Sequence, residues 1–342
     1  MYNGVKSIVM LFNVCALYIK IMNNENQTIH KSDDNLTIYG WNEKLNQLKQ
    51  ESIYSTLAHG RVSIVHRTCY EVISGNGLFQ CELTGNMMYG KSDDELPCTG
   101  DWVIFQPFDE HKGIIVDSLP RERTLYRKKS GTVADKQAIA SYVDKAFIVQ
   151  SLDDNFNVRR VERFMVQIME ENISSVLVLN KADLDFDRQS VEEQIKHISS
   201  QIPVFFTSIH QLETIVRLRK SISEGETVVF VGSSGVGKSS LVNALCEKPV
   251  LLTSDISLST GKGRHTSTRR EMVLMDSSGV LIDTPGVREF GLAIDNHDSV
   301  AEVLEISDYA ELCRFKDCKH INEPGCAVLE AVNSGIKFMR AI

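Results

Sequence analysis

One stretch of this chain restricts the fold more than any other. Gly232-Ser233-Ser234-Gly235-Val236-Gly237-Lys238-Ser239 fits the pattern G-x-x-x-x-G-K-[ST]. The apolar run Thr227–Val231 leads into it, and Ser240-Leu-Val-Asn-Ala-Leu leads out. A strand, a glycine-rich loop and a helix start, in that order, make a P-loop. Its backbone N–H groups curl round phosphate oxygens at a helix N-terminus. Lys238 is expected to neutralise the β- and γ-phosphates and so to serve catalysis, and the Ser239 hydroxyl to ligate Mg²⁺. Lys145–Gln150, Ser175–Leu179 and Val204–Phe206 read as buried strands. They alternate with helical spacing over Val158–Glu171, Val191–Ser199 and Leu212–Ser221. Such βα units form a parallel sheet with both faces covered.

Two further motifs belong to that sheet. Val280–Asp283 is a short strand running into Asp283-Thr284-Pro285-Gly286. Asp283 is placed to hold Mg²⁺ through water, and the Gly286 N–H to sense the γ-phosphate. Asn180-Lys181-Ala182-Asp183 ends another strand. A buried Asp183 accepts two hydrogen bonds from the N1–H and N2–H₂ edge of guanine; adenine has no such donor pair and leaves the carboxylate unpaired. Asn180 is expected to brace the site and the Lys181 stem to cover the base. Thr207-Ser208 fits a weaker base-loop motif. The GTP or GDP site is thus Asn180, Lys181, Asp183, Thr207, Ser208, the loop from Gly232 to Ser240 (with Ser233, Ser234, Gly235, Val236 and Gly237), and Gly286.

The order is unusual: Asn180 precedes Gly232 by 52 residues, and no second P-loop exists. One sheet entered at a different strand, a circular permutation, explains this more simply than two nucleotide domains. Surface termini permit such re-entry. Between the P-loop and Asp283 lies Gly261-Lys-Gly-Arg-His265-Thr266-Ser267-Thr268. Thr266 or Thr268 is expected to reach Mg²⁺ when GTP is bound. Val287 follows Gly286, where a glutamine would orient water. His265 is therefore a candidate to position the attacking water; the alternative is a loop histidine that touches phosphate, RNA or nothing. Beyond Gly286 the chain leaves the nucleotide domain, so loss of γ-phosphate contacts is expected to reach 296–342 directly.

Short strands at Arg61–His66, Leu78–Leu83, Asp101–Gln106 and Gly113–Val116 suggest a small β-barrel before this region. Leu119–Gly131 then carries Arg121, Arg123, Arg127, Lys128 and Lys129 against one glutamate. It reads either as a solvated linker or as an RNA-contacting patch beside a barrel of a kind that often binds RNA. The net charge of −8 excludes a uniformly basic surface but not a local one. Of eight cysteines, Cys15, Cys69, Cys81, Cys98 and Cys246 are scattered, as in a chain from a reducing compartment. Cys313-x₄-Cys318-x-His320-x₅-Cys326 supplies a closed four-ligand set for one structural zinc ion. The stretch Ile8–Met22 is apolar but short for a membrane span and lacks a small-residue cleavage site. It reads as an upstream extension with Met22 the true start, a poor secretion signal or a hydrophobic appendage.

The set NKAD, GSSGVGKSS, GKGRHTST, DTPG and C-x₄-C-x-H-x₅-C behind a barrel resembles the RsgA family of small ribosomal subunit biogenesis GTPases. Tyr39-Gly40-Trp41-Asn42, Leu119-Pro120-Arg121 and Asn157–Arg163 also fit. The resemblance covers roughly residues 36–342. It implies a multidomain α/β protein: an N-terminal OB-fold β-barrel (45–125) after a leader (1–44), a circularly permuted P-loop GTPase domain (130–295), and a small helical zinc-binding domain (296–342), shortened at its end. It implies GTP hydrolysis stimulated by the small (30S) subunit late in maturation, binding to ribosomal RNA, and His265 in the position of the family's catalytic histidine. It further implies a cytoplasmic monomer with no membrane partner. Two departures stand out. Ser267 replaces a threonine of the family's His-Thr-Thr-Thr, and Ser141 stands where asparagine is usual. A nucleotide-gated RNA-binding module with little turnover, or a permuted GTPase of the large subunit, is the alternative.

Overall fold

The computed structural model describes residues 34–90, 94–128, 136–251, 270–276, 279–284 and 323–333, with Ser92, Tyr309, 312–315 and Cys318. Expectations for residues 1–33 of the leader and for Lys129, His265, Thr266, Thr268, Gly286, Val287 and His320 lie outside the described residues.

Two helices open the described chain, α1 (Asp34–Thr37) and α2 (Glu43–Glu51). The Asn42 side chain starts α2 by accepting from the Leu45 N–H at 3.1 Å. Leu36, Trp41 and Leu45 pack on Trp102 and Ile104 of the barrel. The barrel comprises β1 (Ala58–Val65), β2 (Tyr70–Ser74), β3 (Gly77–Leu83), β4 (Trp102–Asp109) and β5 (Lys112–Ser118), with α3 (Gly85–Gly90) after β3. β1, β2 and β3 form an antiparallel meander. β3 pairs in parallel with β5, β5 antiparallel with β4, and β4 returns to β1, closing the barrel. Val62, Val72, Phe79, Cys81, Val103, Phe105 and Ile115 fill it.

β6 (Leu125–Lys128) and β7 (Lys136–Ala140) then form an antiparallel hairpin. Leu125, Ile139 and Ala140 are buried in the core of the following α/β layer. That layer runs β8 (Lys145–Ser151), α4 (Val158–Glu170), β9 (Ser174–Asn180), α5 (Arg188–Gln194), α6 (Lys196–Ser199), β10 (Val204–Thr207), α7 (Leu212–Arg219), β11 (Thr227–Val231), α8 (Lys238–Leu245), β12 (Glu271–Leu274) and β13 (Val280–Asp283). A last helix, α9 (Ala327–Asn333), follows. The helical run expected over Val191–Ser199 is two short pieces that meet at Ile195. α4 buries Val161, Phe164, Met165 and Ile168, the spacing of one helix face.

The strand order is β10-β9-β8-β11-β13-β12. All neighbours are parallel except β12 and β13. The NKAD strand β9 and the P-loop strand β11 therefore flank β8 in one sheet. β12 continues into the barrel by the bridge Ile64↔Glu271, making eleven strands in all. Arg61, fully buried in β1, ties the same joint together. It donates to the carbonyls of Gly100 (3.0 Å), Tyr142 (3.3 Å) and Tyr39 and to Thr227 Oγ1 (2.9 Å) at the start of β11.

Candidate nucleotide site

The P-loop leaves β11 through Gly232, where a Cβ would meet the Val149 carbonyl at 2.4 Å. Gly237, at φ +96°, caps α8, and a Cβ there would meet Asn180 Nδ2 at 2.3 Å. Only glycine satisfies both positions. Asn180 Nδ2 donates to the Val236 carbonyl (2.8 Å), and Asn180 Oδ1 accepts from Thr207 Oγ1 (3.3 Å). The base motif and the phosphate loop are thus joined by one buried side chain.

Lys238 Nζ donates to the carbonyls of Gly232 (2.9 Å) and Ser233 (3.0 Å). Burial lowers its pKa to about 8, against the opposing pull of the Asp283 charge. Ser239 Oγ donates to Asp283 Oδ2 at 2.6 Å, bringing two hard oxygen donors together as Mg²⁺ requires. Thr284 Oγ1, next to them, is anchored on the Phe230 carbonyl (2.6 Å).

At the base end, Asp183 is exposed rather than buried, and Ser208 Oγ donates to its Oδ1 at 2.5 Å. That hydrogen bond holds the Asp183 carboxyl below its ordinary range. Lys181, at φ +61°, places Nζ 2.8 Å from Asp153 Oδ2. Burial alone would raise the Asp153 carboxyl; Lys181, the Ser151 hydroxyl and the Asn155 N–H overcome it and hold it at about 2.

Near the other end of the chain, the sulfurs of Cys313, Cys318 and Cys326 lie within 4.8 Å of one another. Cys313 and Cys326 are 3.9 Å apart. The Leu329 N–H donates to Cys326 Sγ at 3.4 Å, a contact that suits a thiolate. Three sulfurs so gathered are compatible with a bound metal ion.

Comparison with known proteins identifies the ensemble. The family model described as RsgA GTPase matches residues 118–293. The small ribosomal subunit biogenesis GTPase RsgA 1 of Bacteroides thetaiotaomicron is 73% identical over 314 residues, covering 92% of this chain and 86% of that protein. The chain belongs to the RsgA family of small ribosomal subunit biogenesis GTPases. The RsgA of Methanosarcina acetivorans is 38% identical over 325 residues, covering 92% and 86%. The crystal structure of YjeQ from Thermotoga maritima superposes with TM-score 0.58 at 26% identity, over 81% of this chain and 92% of that one. YloQ, a circularly permuted GTPase, shares the fold at TM-score 0.55 and 22% identity, over 83% and 91%. This RsgA-family protein is a GTP hydrolase on a permuted sheet.

In the basic run, three of the five cations have partners within the chain. Arg121 is not a free cation: Nε and Nη2 grip the fully buried Asp101 at 2.9 and 2.7 Å, and Nη1 and Nη2 reach the Asp94 and Leu96 carbonyls. That pairing satisfies a carboxylate with no exposed surface. Arg123 binds Asp144 (2.9 Å) and Arg127 binds Gln137 (2.6 Å). Sequence reasoning missed Asp153, two residues past the C-terminal end of β8, and Arg160, in the first turn of α4. A carboxylate just after a parallel strand beside the NKAD strand was the available signal for Asp153, since ligands gather at the carboxyl ends of such strands.

Proposed function

We propose that this RsgA-family protein uses GTP hydrolysis to time its release from the maturing small ribosomal subunit, the subunit itself stimulating turnover. The 73% identity to the small ribosomal subunit biogenesis GTPase RsgA 1 supports this most directly, and the hydrogen bond from Asn180 to Val236 joins the guanine motif to the phosphate loop. In this reading Asp183 selects guanine, Lys238 meets the β- and γ-phosphates, and Mg²⁺ is held by Ser239, by Asp283 through water, and by Thr266 or Thr268. The metal neutralises charge on the phosphates when bound. His265 positions the attacking water. Gly286 reports the γ-phosphate to 296–342, where Cys313, Cys318 and Cys326 with His320 hold one structural zinc ion. The protein acts as a cytoplasmic monomer, and its RNA contacts are with ribosomal RNA. Among the described residues no helix is long and apolar enough to cross a membrane.

The test is the GTPase rate with and without purified small subunits, together with sedimentation in a non-hydrolysable GTP analogue. Stimulation and co-sedimentation with the small subunit are expected. Binding without stimulation would favour a nucleotide-gated RNA-binding module, and co-sedimentation with the large subunit would sink the reading. Hydrogen exchange in 296–342 should differ between GDP and the GTP analogue; identical exchange removes the Gly286 relay.

A further inference from the structure

The P-loop is touched by a second cation that the GTPase motifs leave unused. Asn157 caps α4, its Oδ1 accepting from the Arg160 N–H at 3.1 Å, and so places Arg160 in the first helical turn. Arg160 Nη1 donates to Ser233 Oγ at 3.1 Å and to the Asn155 carbonyl at 3.2 Å, with a longer contact to Gln150 Oε1 at 3.5 Å. Gln150 is fully buried at the end of β8 and forms a fixed backstop. Among the described residues Arg160 forms no ion pair with a carboxylate, so its charge is directed at the loop. Ser233 is consequently held from two sides, its carbonyl by Lys238 (3.0 Å) and its hydroxyl by Arg160.

We propose that Arg160 is a positioning residue for GTP hydrolysis. Acting through Ser233 Oγ, it fixes the entry of the P-loop and keeps a second positive charge beside the loop that cradles the phosphates. Phosphoryl transfer depends on positioning and on preorganised charge more than on covalent chemistry.

The full chain is compared with R160A, R160K, S233A and the double variant R160A/S233A in steady-state hydrolysis, with Tm recorded for each. R160A should lower kcat by about tenfold, the worth of one charge-assisted hydrogen bond, with KM for GTP within about twofold. R160K should recover part of the loss. S233A should reproduce part of it, and the double variant should be no slower than R160A. Unchanged kcat in R160A, a loss confined to KM, or multiplicative losses in the double variant would overturn the proposal. A fall in Tm that accounts for the fall in rate would also overturn it, by making Arg160 a residue of the fold. Hydrolysis by the unmodified chain in the same assay separates these outcomes from a failure of the GTPase activity itself.

Discussion

Lys238 and Asp183 set the two ends of the nucleotide site, and each makes a prediction. Burial holds the Lys238 ammonium near pKa 8, below its ordinary 10.5. Phosphates bind the charged form, so nucleotide binding should draw a proton from solution above pH 8, and affinity should fall as pH rises toward 9.5. Calorimetry at pH 8.5 in two buffers of different ionisation enthalpy measures that uptake; equal heats would refute it. The sign for stability is opposite. Between pH 8 and 10.5 the unfolded lysine binds the proton and the folded one releases it, so this group's contribution to the nucleotide-free protein rises with pH there. At the base end, Asp183→Asn places an amide donor against the guanine donors. GTP affinity should drop by about 100-fold or more, and xanthosine triphosphate should bind better than in the unmodified protein, as competition with a fluorescent nucleotide would show.

Elements depend on residues that reach between them. Asn180 ends β9 and yet secures the loop after β11. Asn180→Ala would leave the Val236 carbonyl and the Thr207 hydroxyl without this partner, costing about 1–3 kcal/mol in urea unfolding and weakening GDP binding with it. The parts of this architecture that sequence reveals are those whose signal is local. β8, β9 and β11 are legible because strands buried on both faces are unbroken apolar runs. The P-loop, NKAD and DTPG are legible because one chemistry requires fixed residue types at fixed spacing. β12, four residues long, offers too little periodicity, and the half-polar strands β6 and β7 pass for a basic linker until Leu125 and Ile139 are seen buried. The role of Arg121 is hidden because Asp101 stands 20 residues away. Asp153 and Arg160 are equally hidden, since only folding brings Lys181 and Ser233 to them.

At the scale of the molecule, the barrel and the nucleotide sheet are joined at Ile64–Glu271 and by Arg61, whose acceptors lie on the N-terminal segment, the barrel, the turn before β8 and the first residue of β11. Arg61→Met should cost at least about 3 kcal/mol, because several buried carbonyls lose their donor together. Differential scanning calorimetry should then resolve two transitions where the parent shows one; a single transition at unchanged Tm would show that the two parts do not rely on this side chain. The shared sheet also bears on solubility. β12 would otherwise be a bare outer strand, with N–H and C=O groups open to any neighbouring chain, and the bridge to β1 covers part of that border. Among the described residues the barrel has no border of its own, because β4 returns to β1. Among the described residues the large sheet keeps one fully unpaired margin, along β10. Edge-to-edge aggregation of partly unfolded copies is therefore directed to Val204–Thr207, where a lysine facing solvent would be the substitution to discourage it.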